Sequence, residues 1–174
     1  YILKIILKVR YFGLKFSEMR ISLFCIGKTN QSFVNEGFEF FKTRLSRYCN
    51  FEIICINDVK NAAKLSPDLL RKKEAELFDK HLGNLPYFIL DEKGKQFRSV
   101  EFAQFIEKQA VSGKSHLVFC IGGAFGFDPV FKKNATRSLS LSDMTFTHQF
   151  IRLMFVEQIY RAFSILKNEP YHNE

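Results

Sequence analysis

The sequence predicts one α/β domain built on a parallel β-sheet with helices on both faces, and three observations support this fold class. Short apolar runs alternate with longer segments of helical periodicity, which is the order typical of parallel sheets. The run 117–121 contains no polar residue and leads directly into Gly122 and Gly123. This pattern is typical of a buried central strand whose carboxyl end a ligand can approach closely. The chain has 174 residues, of which 47% are hydrophobic, enough for one substantial core.

The first two strands are predicted on either side of a helix. Residues 21–26 form an apolar run that ends at Gly27 and predict the first strand. Residues 30–48 predict a helix because apolar side chains recur there near helical spacing. Residues 51–56, which are apolar apart from Glu52, predict the second strand. The apolar positions of the helix are Phe33, Phe40, Phe41 and Leu45.

The next helix and strand have clear boundary signals. Ser66 is a favoured N-cap residue, and Pro67 suits the first position of a helix. This helix is expected to run towards Leu82 and to end near Gly83. Residues 87–90 predict the third strand, and the polar residues 91–94 predict a turn that ends it.

Four shorter elements follow in the same alternating order. Ser99 is predicted to cap a helix over residues 99–110, and 117–121 is the fourth strand. A short helix near 128–135 and a short strand at 138–141 complete this part of the chain. No repeat, linker or low-complexity tract interrupts the pattern, so a single domain is expected.

The last helix is predicted over about residues 148–167 and is apolar around most of its circumference. Only a narrow polar stripe remains, around Glu157, Arg161 and Ser164. A helix of this kind must be covered on two sides. We therefore expect one side to lie on the sheet and the other to contact a second copy of the chain in a homodimer. The alternative is a central helix enclosed within one chain.

Residues 1–18 are interpreted as an N-terminal extension upstream of the native start, or as an added edge segment. Lysines interrupt the apolar residues of this segment, and no small-residue cleavage site follows, so it is a poor signal peptide. Met19 directly precedes the first strand and is expected to be the physiological first residue. Residues 19–174 then form the single domain.

The formal net charge of +8 favours a polyanionic partner, although a basic surface also serves solubility.

Four cysteines and four histidines are dispersed without the spacing of a metal site, so no metal is expected. No apolar run is long enough to span a membrane, so no membrane partner is expected. The cysteines are interpreted as reduced, buried residues of a cytoplasmic protein. They are Cys25, Cys49, Cys55 and Cys120.

The glycines after the fourth strand do not match two common phosphate-binding motifs. Their positions, 122, 123 and 126, depart from the G-x-G-x-x-G spacing of dinucleotide-binding proteins. Phe127 and Asp128 stand where a Walker loop requires lysine and serine or threonine. Neither NAD nor ATP is therefore favoured. On spacing alone, a tight turn between strand and helix is the alternative to a ligand site.

Five segments taken together resemble one known family. They are LD at 90–91, IGGAFG at 121–126, LSLSDMTFTH at 139–148, EQIYRA at 157–162 and YH at 171–172. In this order they resemble the bacterial large-subunit (23S) ribosomal RNA pseudouridine N3-methyltransferases of the SPOUT superfamily. The resemblance extends from Met19 to Glu174.

The resemblance implies a SPOUT-type trefoil-knotted α/β fold, which periodicity cannot show because knots are rare. It also implies S-adenosyl-L-methionine as the methyl donor, and a homodimer that acts on ribosomal RNA, on the assembled ribosome. Carried over by position, the cofactor contacts fall at Leu90, Gly122, Leu141, Ser142, Asp143, Met144, Thr145 and Phe146.

Arg161, Tyr171 and His172 are the candidate catalytic residues, with Arg152 and His148 as second candidates. Methyl transfer to a ring nitrogen requires in-line placement of that nitrogen and loss of its proton. An arginine can stabilise negative charge that develops on the base, and a histidine can accept a proton near neutral pH. The resemblance implies that the Tyr171-His172 tail folds over the cofactor site, against the partner subunit. A simple helical salt bridge with Glu157 is the alternative role for Arg161.

Two other functions remain open at the level of the sequence. The chain could be a non-catalytic dimeric module for RNA binding or assembly on an α/β scaffold. It could also be a methyltransferase of the same fold that acts on another RNA. Binding of S-adenosylmethionine distinguishes the first alternative from an enzyme, and mass analysis of ribosomal RNA from a deletion strain tests the second.

Overall fold

The computed structural model describes residues 16–171. The strands are β1 (Arg20–Ile26), β2 (Asn50–Ile56), β3 (Tyr87–Gln96), β4 (His116–Ile121) and β5 (Arg137–Ser140). They form one sheet in the order β2-β1-β4-β3-β5, and every pair of neighbouring strands is parallel. The predicted α/β class with a parallel sheet is therefore confirmed.

Helices cover both faces of this sheet. They are α1 (Ser32–Leu45), α2 (Pro67–Leu82), α3 (Ser99–Val111), α4 (Pro129–Asn134) and α5 (Phe150–Leu166). Helices α1, α3 and α5 contribute side chains such as Val34, Ile106 and Phe155 to the larger core. Helices α2 and α4 contribute Phe78 and Phe131 to the smaller core on the other face.

Strand β4 lies at the centre of the sheet and is buried on both faces. Leu117 and Phe119 belong to the larger core, whereas Val118 and Cys120 belong to the smaller one. This alternation follows from the two-residue period of a strand. It explains why the run 117–121 contains no polar residue, as expected from the sequence.

Strand β3 differs most from its sequence prediction. It was predicted to end in a turn after residue 90, but it extends to Gln96. Leu90 and Lys95 both pair with Leu139 of β5, so the residues between them bulge out of the ladder without ending the strand. The prediction of a turn used only residues 91–94. The strand that pairs with the later residues of β3 is β5, which lies much further along the chain.

Helix starts were predicted well in one case and less well in another. Ser66 caps α2, and its Oγ accepts the backbone N–H of Leu69 at 3.3 Å, as predicted. In α3, however, Arg98 occupies the N-cap position and Ser99 is the first helical residue. There the Oε2 atom of Glu101 accepts the backbone N–H of Arg98 at 3.0 Å, so a carboxylate performs the capping that was expected of the serine.

Helix α5 packs between α1 and α3 within the same chain. Its residues Phe155, Ile159 and Phe163 are completely buried. Gly37 of α1 permits a close approach, because a Cβ atom there would lie 2.7 Å from the Cδ1 atom of Leu153. Enclosure within one chain therefore accounts for much of the apolar surface of α5. The expected homodimer stays a prediction.

The chain reaches β5 from the centre of the sheet through α4, and β5 then pairs with β3 at the edge. Gly94, in the bulge of β3, lies directly against β5. A Cβ atom on Gly94 would come within 2.5 Å of the backbone carbonyl carbon of Leu139. Only glycine permits this backbone contact. The trefoil knot implied by the resemblance stays a prediction.

Most of the predicted N-terminal extension, residues 1–15, lies outside the described residues. Phe16 is buried, and its ring packs edge-on against Phe163 with 5.6 Å between centroids. At least this residue of the segment 1–18 therefore belongs to the larger core. Met19 as the native first residue stays a prediction.

The four cysteines are free thiols, and three of them are buried. Cys55 is exposed, so the expectation of burial was wrong for this residue. It lies on β2, which is an edge strand with only one neighbour, and the mostly apolar segment 51–56 did not reveal that position in the sheet.

Candidate active site

A cleft of about 870 Å³ opens at the carboxyl ends of β4 and β5, beside the bulge of β3 that follows Leu90. In open parallel sheets this edge is where ligands bind, because loops rather than strands surround it. Leu90 and Ile121 form part of the floor, and the glycine loop 122–126 lies beside them. The loop after β5 forms the opposite wall and leads to Ile151 at the start of α5. Three segments that are distant in sequence therefore meet around one cavity.

The structure brings together seven of the eight residues that were predicted to contact the cofactor. Asp143 is the exception: its side chain is exposed and does not line the cleft. The seven lining residues are Leu90, Gly122, Leu141, Ser142, Met144, Thr145 and Phe146. Their assignment as cofactor contacts stays a prediction.

Two serines shape the loop after β5. Ser140 donates its hydroxyl to the carbonyl oxygen of Ser142 at 2.9 Å. Ser142 in turn accepts the backbone N–H of Met144 at 3.0 Å. Hydroxyls that bond to backbone two residues away stabilise turns of this kind. Met144 is 70% exposed as a result, so a flexible apolar side chain stands at the mouth of the cleft.

Glu74 supports the glycine loop from α2, and sequence reasoning missed it. Its carboxylate is buried, and the backbone N–H of Gly123 donates to it. A Cβ atom on Gly123 would lie 2.3 Å from the Oε1 atom of Glu74, so only glycine allows this contact. Burial raises the pKa of Glu74 to about 7, and the nearby charge of Asp58 acts in the same direction. No local signal distinguishes Glu74 from the exposed acids of the same helix.

An ion pair fixes α4 against the floor of the cleft. The Nζ atom of Lys132 lies 2.8 Å from the Oδ2 atom of Asp91, and both residues line the cavity. Asp128 caps α4 by accepting the backbone N–H groups of Val130 and Phe131 at 2.8 and 3.2 Å. These contacts hold the chain that follows the glycine loop in place.

The two second candidates, Arg152 and His148, have different roles in the structure. Arg152 is completely buried and donates to the carbonyl oxygens of Ile26 and Gly27 at 2.5 and 3.0 Å, and to Thr29 Oγ1 at 3.0 Å. It therefore ties α5 to the carboxyl end of β1. His148 lines the cleft, and burial together with the charge of Arg152 lowers the pKa of its imidazole.

Arg161 and Tyr171 lie together, but not in the cleft of their own chain. The guanidinium of Arg161 pairs with Glu157 at 2.7 Å and lies 4.9 Å from the centroid of the Tyr171 ring. Tyr171 donates its hydroxyl to Glu157 at 3.2 Å. Burial and the Glu157 carboxylate raise the pKa of Tyr171, so its hydroxyl stays protonated at neutral pH.

The separation from the cleft follows from helix geometry. Ile151 lines the cavity, and Arg161 lies ten residues further along the same helix, which corresponds to about 15 Å along the axis. The helical salt bridge that was the alternative role for Arg161 is present. His172 lies outside the described residues.

The fold and the cleft together define the class of protein. The family model described as "Predicted SPOUT methyltransferase" matches residues 19–172. The chain belongs to the SPOUT methyltransferase family, whose enzymes use S-adenosylmethionine as methyl donor. This confirms the predicted family, the enzyme class and the cofactor, and it removes support from the non-catalytic alternative.

Curated relatives are similar over most of the chain. A "Ribosomal RNA large subunit methyltransferase H" of Parabacteroides distasonis is 46% identical over 157 residues, which cover 90% of this chain and all of the relative. Proteins of the same name from Christiangramia forsetii and Acetivibrio thermocellus are 44% and 43% identical, covering 89% and 88% of this chain and 99% of each relative.

Solved structures share the fold at low sequence identity. A probable methyltransferase from Bordetella pertussis has a TM-score of 0.53 at 10% identity and covers 84% of this chain and 97% of its own. A probable methylase family protein from Haemophilus influenzae has the same TM-score and identity, with coverage of 91% and 72%. At this level of identity the likeness concerns the fold alone.

The residues of the cleft fit S-adenosylmethionine. The volume suits a ligand of nucleoside size, and the lining combines apolar side chains such as Leu90 and Ile121 with the backbone of the glycine loop 122–126. Within residues 16–171 no three His, Cys, Asp or Glu side chains are grouped as metal ligands. In the same part of the chain, no helix has the length and apolar character needed to cross a bilayer.

Proposed function

We propose that this protein methylates N3 of a pseudouridine in large-subunit (23S) ribosomal RNA, with S-adenosylmethionine as donor. The observation that carries the proposal is the cleft, where seven of the eight predicted cofactor contacts line one cavity at the carboxyl edge of the sheet. The substrate follows from relatives that are 43–46% identical over nearly their whole length and are named for large-subunit ribosomal RNA. The activity is proposed to take place in the cytoplasm, on the assembled ribosome.

In this reaction the protein has to bind the methyl donor, position the target nitrogen and help to remove its proton. When bound, S-adenosylmethionine supplies a methyl group that is already activated by its sulfonium. The cleft residues, Leu90 and Gly122 among them, then have to hold the adenosine and keep the methyl directed outwards. Positioning of this kind contributes about 7 kcal/mol or more in favourable cases. The target nitrogen must also lose its proton, and negative charge on the base must be stabilised.

Arg161 and Tyr171 are proposed to act on the cleft of a partner subunit in a homodimer. Both residues are held together by Glu157, about 15 Å from the cleft of their own chain, so a second copy offers the route to a complete site. The guanidinium of Arg161 stabilises the charge that develops on the base, and Tyr171 positions the guanidinium. His172, the third candidate, follows directly in the chain.

Methylation of ribosomal particles from a strain that lacks this enzyme tests the proposal. The purified protein is expected to transfer a methyl group to a large-subunit pseudouridine, detected by mass analysis of the nucleosides. Arg161→Ala and Tyr171→Ala are expected to lower the rate by about 10²-fold or more, with the dimer intact. Arg44→Ala, which removes the same charge from α1, is the control and should retain activity.

Two results would contradict the proposal. Methylation of a different RNA, with large-subunit RNA left unmodified, would show that the substrate is wrong. Full activity of both Arg161→Ala and Tyr171→Ala would show that these two residues do not take part in the reaction.

A further inference from the structure

A second concavity, the basic groove, lies between α3 and the β5 edge of the sheet. It has a volume of about 410 Å³ and is separate from the cleft. Four cations line it from different elements: Lys95 of β3, Lys108 of α3, Lys114 before β4, and Arg137 of β5. Their convergence on one hollow is a product of the fold, because in sequence they are spread over more than forty residues.

These four cations have no carboxylate partner among the described residues. Elsewhere, Arg20 pairs with Glu52 at 2.6 Å and Arg47 with Glu169 at 3.3 Å. The acid among the groove's lining residues is Glu101, and it accepts the backbone N–H of Arg98 as the cap of α3. Four unneutralised charges around one hollow repel one another, and an anionic ligand would relieve that repulsion.

Aromatic rings lie beside the cations. The Nζ atom of Lys95 is 5.0 Å from the centroid of the Phe97 ring, and that of Lys114 is 6.0 Å from the centroid of Phe88. Phe88 is buried at the floor, whereas Phe97 is partly exposed to the groove. A groove that combines cations for phosphates with a ring for a base is typical of sites for single-stranded nucleic acid. An acidic peptide would use the charges but not the ring.

The groove and the cleft are joined by β5. Arg137, the first residue of this strand, lines the groove, and Ser140, the last, lines the cleft. Three residue steps along a strand correspond to about 10 Å. Residues three apart on a strand point to opposite faces of the sheet, so an RNA strand that reaches both hollows passes around the edge formed by β5, a path that a few nucleotides can cover.

We propose that the basic groove binds the phosphodiester backbone of the ribosomal RNA strand whose nucleotide enters the cleft. The inference rests on the proposed function and adds a docking site to it. Lys108, Lys114 and Arg137 contact phosphates, and Phe97 offers a stacking surface for one base. The groove determines how tightly the RNA is held, whereas the cleft determines the chemistry.

The test compares two triple variants of equal charge. Lys108→Ala/Lys114→Ala/Arg137→Ala removes cations of the groove. Lys60→Ala/Lys64→Ala/Lys80→Ala removes three exposed lysines of α2 and the segment before it, and is the control. Both variants are first checked for unchanged thermal unfolding and for wild-type affinity for S-adenosylmethionine.

The groove variant is expected to raise the KM for ribosomal particles by about 10-fold or more, with kcat within about twofold of wild type. The salt dependence of RNA binding is the second measurement. The slope of log K against log salt should fall by about 2, because three phosphate contacts are lost at roughly 0.7 each. The control variant should change both quantities much less.

The outcomes separate this inference from the proposed function. If wild type methylates large-subunit RNA but the two triple variants have the same KM and salt slope, the groove does not bind RNA. If the groove variant loses kcat instead of affinity, the cations act in catalysis and the docking role is wrong. If wild type does not methylate large-subunit RNA at all, the proposed function itself fails.

Discussion

At the scale of single residues, the cleft depends on contacts that a sequence does not display. Glu74 is an acid on a helix that carries several other acids, yet its carboxylate alone supports the glycine loop. Asp143 shows the opposite, since it lies within a family motif but is exposed and does not line the cleft. Motifs identify the segments of a site, whereas the direction of each side chain is determined by tertiary packing.

The raised pKa of Glu74 leads to a prediction about stability and pH. The ordinary pKa of a glutamate is 4.5, and that of Glu74 is raised to about 7. Between these values the folded state binds more protons than the unfolded state, so the contribution of Glu74 to stability falls as pH rises. Glu74→Gln is neutral at every pH. As pH rises from about 5 to about 8, the free energy of unfolding of Glu74→Gln is therefore expected to increase relative to that of wild type by on the order of 1 kcal/mol. This value is smaller than the full pKa shift would give, because solvent in the nearby cleft screens the carboxylate.

Urea unfolding of both proteins at the two pH values measures this difference. Glu76→Gln, the same substitution at an exposed position of α2, is the control and should show no such trend. An equal pH dependence of wild type and Glu74→Gln would show that the carboxylate titrates normally.

At the scale of elements, the start of α5 is held by one buried charge. Arg152 donates to two backbone carbonyls at the end of β1 and to Thr29. The helix that supplies Ile151 to the cleft is thereby fixed to the sheet edge that forms its floor. The site is consequently sensitive to a residue that does not line it.

Replacement of this arginine is expected to destabilise the protein. Arg152→Met removes three hydrogen bonds and leaves the carbonyls of Ile26 and Gly27 buried without a donor, at a cost of about 3 kcal/mol or more. Arg44→Met, at a partly exposed position of α1, should cost less than about 0.5 kcal/mol. Denaturant unfolding of both variants tests the difference, and equal stabilities would contradict it.

The bulge of β3 yields a second prediction at this scale. A methyl group on Gly94 would overlap the backbone of Leu139, and backbone cannot move aside as a flexible side chain can. Gly94→Ala is expected to cost about 2 to 3 kcal/mol in unfolding free energy, and to weaken binding of S-adenosylmethionine because β5 leads into the cleft wall. Glu92→Ala, an exposed neighbour, should be close to neutral in both measurements. A Gly94→Ala protein of normal stability would show that β5 can shift.

The elements that the sequence predicted well are those with local signals. Ser66 and Pro67 gave the start of α2, and the apolar run 117–121 gave the central strand. The course of β3 beyond Leu90 could not be predicted, because its partner β5 is set by the tertiary fold. The site was predicted from the family motifs. From the spacing of the glycines alone, a tight turn between strand and helix was as good an interpretation as a ligand site.

At the scale of the whole molecule, the net charge and the proposed homodimer bear on how the enzyme binds RNA and completes its site. The net charge of +8 suits an RNA substrate, and part of that charge lies in the basic groove. The distance between the cleft and Arg161 in one chain makes a composite site in a dimer the simplest arrangement.

Mixed dimers provide the test of that arrangement. Gly122→Leu is expected to abolish binding of S-adenosylmethionine, and Arg161→Ala to lower methyl transfer by about 10²-fold or more. If Arg161 acts on the partner's cleft, a dimer with one protomer of each kind contains one intact site and should recover about half the wild-type rate. If Arg161 acts within its own chain, the mixed dimer stays inactive. Sedimentation at micromolar concentration must first show a dimer, and a monomer would contradict the model.

The position of β5 in the chain has a consequence for biosynthesis. While the protein is being translated, β1 to β4 emerge first and can pair with one another, since all four strands precede residue 122. The wall of the cleft that runs from Ser140 to Ile151 appears only later, and its strand has to settle against the bare backbone of Gly94. A nascent chain is thus unable to enclose the methyl donor until residues 140–151 have been synthesised and folded.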